Sequence, residues 1–151
     1  MNTKKSDDYI TNRAWFRAVI NEEDIILRNV SALEYLQFFV GYFNEKEIDV
    51  YAKKKGIYDN INYNIVDSFD SIDYIRHENI LCSSLNQAMN DMLNDFDNTD
   101  RQALVEALSR YYYKNNNSFE GLRINPENIE QFESVKEWAI NYYNEEYRGM
   151  L

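Results

Sequence analysis

The chain has few of the residues that cross-link or interrupt a fold, with one cysteine, one proline and four glycines among 151 residues. The single cysteine, Cys82, cannot form a disulfide within the chain, so a disulfide framework is excluded. Scarce proline and glycine exclude collagen-like and low-complexity sequences. No stretch approaches the roughly 18 consecutive apolar residues of a membrane span, and the first residues lack the apolar run of a signal peptide. We therefore expect a cytoplasmic protein that does not enter a membrane.

Basic residues are also scarce, with 16 lysines and arginines against 26 acidic residues and a formal net charge of −10. Binding to a phosphate backbone depends on clustered lysine and arginine, so direct nucleic-acid binding is disfavoured. The length fits one domain, since single domains usually have about 100–200 residues. A chain of this size can bury roughly 68–70% of its unfolded surface without a disulfide or a metal.

The first half of the chain, about residues 1–82, has the patterns of mixed helix and strand. Short apolar or alternating segments predict five strands at Ile25–Leu27, Glu47–Tyr51, Tyr63–Val66, Ile72–Ile75 and Ile80–Cys82. A short helix is predicted at Asp8–Ile20. A second is predicted from Ser31 to Val40, because Ser31 and Glu34 have the spacing of a capping box.

The second half, about residues 83–151, is predicted to be helical. Ser84 with Gln87 and Thr99 with Gln102 have capping-box spacing, and each precedes apolar residues at i, i+3, i+4 and i+7. Pro126 follows Asn125, which is typical of a helix start, and predicts a helix to about Tyr147. We therefore expect one α+β domain over residues 1–151, in which a small, mostly antiparallel sheet is covered on one face by helices.

Recognised catalytic and cofactor motifs are missing, including Gly-rich phosphate loops, HExxH, paired CxxC and GxSxG. Asp95 to Glu106 partly follows a calcium-binding loop, but Asp100 stands where that loop needs glycine, which favours a polar turn. His77 and Cys82 are near in sequence, but that does not establish a catalytic pair, and an exposed histidine and a buried thiol are favoured. The sequence thus predicts a non-enzymatic protein without cofactor or metal, while an enzyme with an unfamiliar motif stays open.

Two charged segments are candidate partner-binding sites. The basic run Lys53-Lys54-Lys55 is typical of a solvated turn, and a phosphate-binding patch is the alternative because Tyr51 and Tyr58 are close in sequence. In the last predicted helix, Glu127, Glu130, Glu133 and Glu137 share one side. This acidic stripe, which comprises those four glutamates, is either a solvated face or a surface for a basic partner.

Three segments carry a family resemblance, namely Arg28–Leu36, Glu47–Tyr51 and Cys82–Leu93. Together they resemble the C-terminal domain of AbiEi-type antitoxins of type IV toxin–antitoxin systems, over about residues 25–112. Members of that family generally carry an N-terminal winged helix-turn-helix that binds the operator, and too few residues precede Ile25 to form one. The resemblance implies an antitoxin or regulator that opposes a nucleotidyltransferase-like toxin, without implying operator binding or stable contact with the toxin.

Two functions therefore follow as predictions. The first is an antitoxin-like or defence-system regulatory protein whose partner is the cognate nucleotidyltransferase-like toxin. The second is a small acidic inhibitor from a phage or mobile element, of the anti-CRISPR type, which imitates nucleic acid and blocks a basic nucleic-acid-binding effector. The net charge and the acidic stripe favour the second, and the three matched segments favour the first.

Overall fold

A five-stranded sheet forms one layer of the protein. The structure is a computed structural model, and it describes residues 24–40 and 47–142. The strands are β1 (Ile25–Leu27), β2 (Ile48–Ala52), β3 (Ile61–Ile65), β4 (Tyr74–His77) and β5 (Ile80–Ser83). Their order across the sheet is β3-β2-β1-β5-β4. All five predicted strands are present, with boundaries shifted by up to two residues.

The sheet is mixed, which corrects the prediction of mostly antiparallel pairing. β1 with β2 and β4 with β5 are antiparallel, whereas β1 with β5 and β2 with β3 are parallel. The parallel β2–β3 pair is joined by residues 53–60, which return along the strands instead of forming a hairpin. The sequence gives no sign of this parallel pairing, because the residue composition of a short strand is the same whether its neighbour runs parallel or antiparallel.

Four α-helices complete the described elements, namely α1 (Asn29–Tyr35), α2 (Leu85–Asn94), α3 (Arg101–Lys114) and α4 (Ile129–Ile140). Short 3-10 turns at Phe96–Asn98 and Pro126–Asn128 precede α3 and α4. The predicted helix at Asp8–Ile20 lies outside the described residues. None of the helices in the described ranges has both the length and the apolar content needed to cross a bilayer.

The helices cover one face of the sheet, as predicted, because alternate strand residues turn to opposite faces. Ile48 and Val50 on β2, with Leu27 and Cys82, join α1, α2, α3 and α4 in one buried core. Ile26 and Leu81 face the other way and form a smaller cluster with Phe69. The main core draws on both halves of the chain, and the α+β class is confirmed.

Helix α3 contains the longest run of consecutive buried residues in the described chain. The predicted stripe comprises Leu104, Ala107, Leu108 and Tyr111, of which the first three are fully buried and Tyr111 is half-buried. Burial also extends around the other sides of the helix, since every residue from 103 to 109 is buried. A one-sided stripe was predicted, but α3 packs against both α1 and α4, so more than one side meets protein.

The predicted helix starts are correct in part. Ser84 caps α2 by accepting a hydrogen bond from the Gln87 amide at 3.1 Å, as expected. Ser31 is not a cap, because α1 begins at Asn29 and the Ser31 hydroxyl instead accepts from the Asp49 amide at 2.8 Å. Asp100 rather than Thr99 caps α3, accepting from the Ala103 amide at 3.0 Å.

The last helix is shorter than its pattern indicates. Pro126 opens a 3-10 turn, and the α-helical segment starts only at Ile129. The helix ends at Ile140 with Asn141 as its C-cap, and residues 143–147 lie outside the described chain. Phe132, Val135 and Ala139 face the core.

Candidate functional site

A polar groove of about 470 Å³ lies between α2 and the segment that leads into α4. Helix α2 lines it with Asn86, Gln87, Asn90, Asp91 and Asn94. The opposite segment lines it with Arg123, Asn125, Glu127 and Asn128, and Asp73 closes one end. Volumes of 300–1,000 Å³ are usual for small-molecule sites. This groove differs from most such sites in that its lining is polar throughout.

Asparagines spaced four residues apart along α2 hold the two sides of the groove together. Asn90, which is 7% exposed, donates to the Arg123 carbonyl at 2.8 Å and accepts from the Asn125 amide at 2.8 Å. Asn86 accepts from the Arg123 amide at 2.8 Å. The side chains of α2 therefore fix the backbone of the opposite segment, and the groove is preformed.

The turn before that segment depends on a glycine. Gly121 has a φ of +92°, a conformation that side chains disfavour, and a Cβ added there would lie 2.8 Å from the Tyr111 hydroxyl oxygen. That hydroxyl donates to the Glu120 carbonyl, which anchors the turn on α3. The path of residues 122–128 along the groove is thus set by a tight turn at its start.

A chain of side-chain hydrogen bonds runs along the α2 side of the groove. Gln87 donates to Asp91, one helical turn further on, at 3.0 Å and accepts from the Asp73 amide at 2.9 Å. Ser84 donates to the Asp73 carboxylate at 2.6 Å. Asp91 also accepts a hydrogen bond from the Tyr51 hydroxyl at 2.5 Å. These contacts connect the groove to the sheet.

Behind the groove, Arg28 and Asp49 form a partly buried ion pair at 3.2 Å. The Arg28 guanidinium carbon lies 4.7 Å from the centroid of the Tyr51 ring, within the range of a cation–π contact. Asn64 donates to Asp49 at 2.6 Å. We call Arg28, Asp49, Tyr51 and Asp91 the charged cluster.

Burial sets the protonation behaviour of this cluster. It raises the pKa of both Asp49 and Asp91, and the positive charge of Arg28 only partly opposes this effect. Burial and the hydrogen bond to Asp91 raise the pKa of Tyr51 to about 12. Burial also lowers the pKa of Arg28, but Asp49 and Tyr51 outweigh it, so that pKa is raised overall. The cluster thus holds its tyrosine neutral and its arginine charged at neutral pH.

The four glutamates of the acidic stripe are all exposed. Glu127 lies in the 3-10 turn and lines the groove, while Glu130, Glu133 and Glu137 follow on α4. Glu133 is 3.9 Å from Lys136, an exposed pair that neutralises little of the stripe. The stripe therefore begins at the groove and continues along the helix.

The three lysines of the basic run are exposed and lie in the connection after β2. Lys53 pairs with Asp24 at 3.7 Å and lies 4.8 Å from the centroid of the Phe69 ring. Lys55 lines a separate groove beside β3. Tyr51 belongs to the charged cluster, where it contacts Asp91 and Arg28.

The other residues considered from the sequence have structural roles. His77 is exposed at the end of β4 and contacts the Tyr35 hydroxyl at 3.2 Å through Nδ1, whereas Cys82 is fully buried. Glu106, the last position of the calcium-loop pattern, accepts hydrogen bonds from the Val40 amide and the Tyr142 hydroxyl. Within residues 24–40 and 47–142, no group of three or more histidine, cysteine or acidic side chains could hold a metal ion.

Sequence reasoning missed the groove and the charged cluster. The four-residue spacing of Asn86, Asn90 and Asn94 is a signal that could have pointed to a polar helix face. Nothing in the sequence connects Tyr51 to Asp91, because the contact spans 40 residues. Comparison of the chain with protein-family models, curated proteins and solved structures finds no match. The site is therefore interpreted from its own chemistry.

Proposed function

We propose that this protein is a non-enzymatic, antitoxin-like regulatory protein that acts on a basic protein partner. One observation carries the proposal, namely the acidic surface formed by the stripe and the groove it enters. Glu130, Glu133 and Glu137 are exposed along α4, and Glu127 continues the same negative charge into the groove. An acidic surface attracts basic partners and speeds their encounter.

The charge suits the partner that the family resemblance implies. A nucleotidyltransferase-like toxin handles phosphate groups, so we expect basic residues around its active site. An acidic protein with a formal net charge of −10 is complementary to such a surface. The segments that carry the resemblance include Cys82–Leu93, which contains most of α2 and hence one side of the groove.

Co-expression with the product of the neighbouring gene tests this function. The two proteins are placed under separate inducible promoters in a bacterial host. We expect the neighbour alone to arrest growth and this chain to restore it. A harmless neighbour, or toxicity that this chain does not relieve, would contradict the antitoxin proposal.

A second function is favoured by the regular spacing of the stripe. Glu130, Glu133 and Glu137 follow one another at three and four residues, which places them about 5–6 Å apart along the helix axis. A row of negative charges can imitate phosphates and occupy a basic nucleic-acid channel, as an anti-CRISPR-type inhibitor would. A basic effector whose nucleic-acid binding is blocked in a salt-sensitive way would support this alternative, because exposed charge pairs are screened over about 8 Å at physiological ionic strength.

A further inference from the structure

We propose that strand β3 is a docking edge for a second copy of this chain. Each copy adds its β3 antiparallel to that of the other, so that two five-stranded sheets join into one. The inference goes beyond the proposed function and does not rest on it. Three features of β3 carry it, namely its position at the edge of the sheet, its symmetric sequence and the charges at its two ends.

β3 is the last strand on its side of the sheet, and in the described part of the chain no strand lies beyond it. Its ladder with β2 includes the Asn60 carbonyl, which accepts a hydrogen bond at 2.9 Å, and the Val66 amide, which donates one at 2.9 Å. Because the backbone groups of a strand alternate in direction, Ile61, Tyr63 and Ile65 turn theirs away from β2. This outer side of an edge strand is where a further strand pairs.

The β3 edge has none of the residues that usually keep edge strands from pairing. Charged side chains and proline serve this purpose in most proteins, and Ile61–Ile65 contains neither. The other edge strand, β4, carries Arg76 and His77. Ile65 is 56% exposed, and Ile57, which lines the same groove beside β3, is 69% exposed. The uncharged, apolar edge of the sheet is therefore the β3 edge.

The sequence of β3 is the same in both directions, Ile-Asn-Tyr-Asn-Ile, and this symmetry selects a second copy as the partner. An antiparallel pair with its two-fold axis at Tyr63 places Ile61 opposite Ile65 of the other copy. The same register places Asn62 opposite Asn64, on the other face of the sheet. Apolar side chains thus meet apolar side chains and amides meet amides, and such cross-strand pairs stabilise a sheet.

The charges at the two ends of β3 are complementary in this arrangement. Lys54 and Lys55 follow β2 at the carboxyl end of the parallel β2–β3 pair, whereas Asp59 precedes β3 at its amino end. Lys55 and Asp59 both line the groove of about 480 Å³ beside β3. Antiparallel pairing brings the carboxyl end of one β3 to the amino end of the other, so the lysines of each copy approach Asp59 of the other copy. Asp67 lies at the lysine end and is outnumbered there.

This pairing predicts a weak dimer. Five residues from each copy form an interface at the small end of the range for specific complexes. The Ile61 amide is also directed at the Tyr58 carbonyl of its own chain, at 3.4 Å. The formal net charge of −10 on each copy opposes association. We therefore expect a dissociation constant of about 10 μM to 1 mM.

Sedimentation equilibrium of the full chain measures the association. The protein concentration is varied from about 10 μM to about 1 mM at physiological ionic strength, which brackets the expected dissociation constant. We expect the average mass to rise with concentration from 18.1 kDa towards twice that value. A mass that stays at 18.1 kDa over the whole range would overturn the proposal.

A pair of proline variants assigns the association to β3. I65P removes an outward-facing amide from each copy, and the loss of two hydrogen bonds should weaken the dimer at least about tenfold. Y74P is the matched change on β4. The Tyr74 amide also faces outward, since the preceding Asp73 carbonyl is the group that bonds to the Ser84 amide. Y74P should dimerise as the unmodified chain does, and an I65P chain with the unmodified circular dichroism spectrum and undiminished dimerisation would contradict the assignment.

Disulfide trapping tests the register and does not depend on the folding of a proline variant. N62C and N64C chains are prepared separately, mixed and oxidised, and the native Cys82 is fully buried. Because residue 62 of one copy lies opposite residue 64 of the other in the proposed register, the mixed disulfide should form faster than the N62C homodimer. Equal rates, or no cross-linked dimer, would show that β3 does not pair with itself in this way.

Discussion

Tyr51 on β2 donates a hydrogen bond to Asp91 on α2, and the two oxygens lie 2.5 Å apart. The contact joins a strand to the helix that lines the groove, across 40 residues of sequence. The Tyr51 ring also lies beside the Arg28 guanidinium. Tyr51 thus lies between Asp91 and Arg28, and Arg28 in turn pairs with Asp49.

Replacing Tyr51 with phenylalanine should lower the free energy of unfolding by about 1–3 kcal/mol, because it leaves a partly buried carboxylate short of a donor. The tyrosine lost in Y51F should be the one that titrates at about 12. Below about pH 10 its protonated form stabilises the fold, and this contribution is lost as the pH rises towards 12. Urea unfolding and the difference in tyrosinate absorbance measure the two effects. Y74F, at an exposed tyrosine on β4, is the control and should leave the free energy of unfolding unchanged.

The raised pKa of Asp91 gives a pH dependence of known sign. Because the folded state holds this proton more tightly than the unfolded state, the contribution is present below about pH 4 and is lost as the pH rises through the raised pKa. The stability of the unmodified chain relative to D91N should therefore fall over that window and then level off. Urea unfolding of both proteins at several pH values measures it. A relative stability that instead grows with pH would show that Asp91 is stabilised as a carboxylate.

Glu106 connects three separate parts of the fold. Its carboxylate accepts from the Val40 amide and the Tyr142 hydroxyl, each at 3.1 Å, and lies 3.4 Å from Arg110 Nε. E106A should cost about 1–3 kcal/mol, and Y142F, which removes one donor, about 0.5–1.5 kcal/mol. E133A, at an exposed glutamate, should stay within about 0.5 kcal/mol. Thermal unfolding ranks the three, and an E106A that melts like E133A would remove this role for Glu106.

Truncation after residue 124 should abolish cooperative folding. It deletes α4, whose Phe132 and Val135 are 7% and 2% exposed in the main core. Burial of each such side chain is worth about 1.5–3 kcal/mol, against a total stability of roughly 5–15 kcal/mol. We expect an insoluble or molten fragment by calorimetry and near-ultraviolet circular dichroism. A cooperative melt close to the full-length temperature would make α4 an appendage of the core.

The fold was predictable where local patterns decide it. The alternation of polar and apolar residues in β2 turns Ile48 and Val50 towards the core. Ser84 caps α2 because the Gln87 amide, in the first turn of the helix, needs an acceptor and the Ser84 hydroxyl supplies it. Strand direction was not predictable, since the β2–β3 pairing depends on the path of residues 53–60 rather than on strand composition. Ser31 was misassigned because its hydroxyl meets the amide of Asp49, which is local only in the folded chain.

The site was predictable only in its charge. The glutamates of the stripe share a helix face, which helical periodicity gives directly. The groove depends on contacts such as Asn90 with Arg123 and Asn125, which are more than 30 residues apart. Tertiary hydrogen bonds of this kind leave no periodic signal in a single sequence.

The most direct test of the central claim is charge reversal of the stripe in the co-expression assay. E130K/E133K/E137K is compared with D59K/D67K/D97K, which makes the same change in net charge at exposed acidic residues on other elements. Equal soluble levels and equal melting temperatures establish that both variants fold. The account predicts that the stripe variant loses the ability to restore growth, whereas the control variant keeps it. Full rescue by the stripe variant, or equal loss in both variants, would contradict the claim that this acidic surface acts on a basic partner.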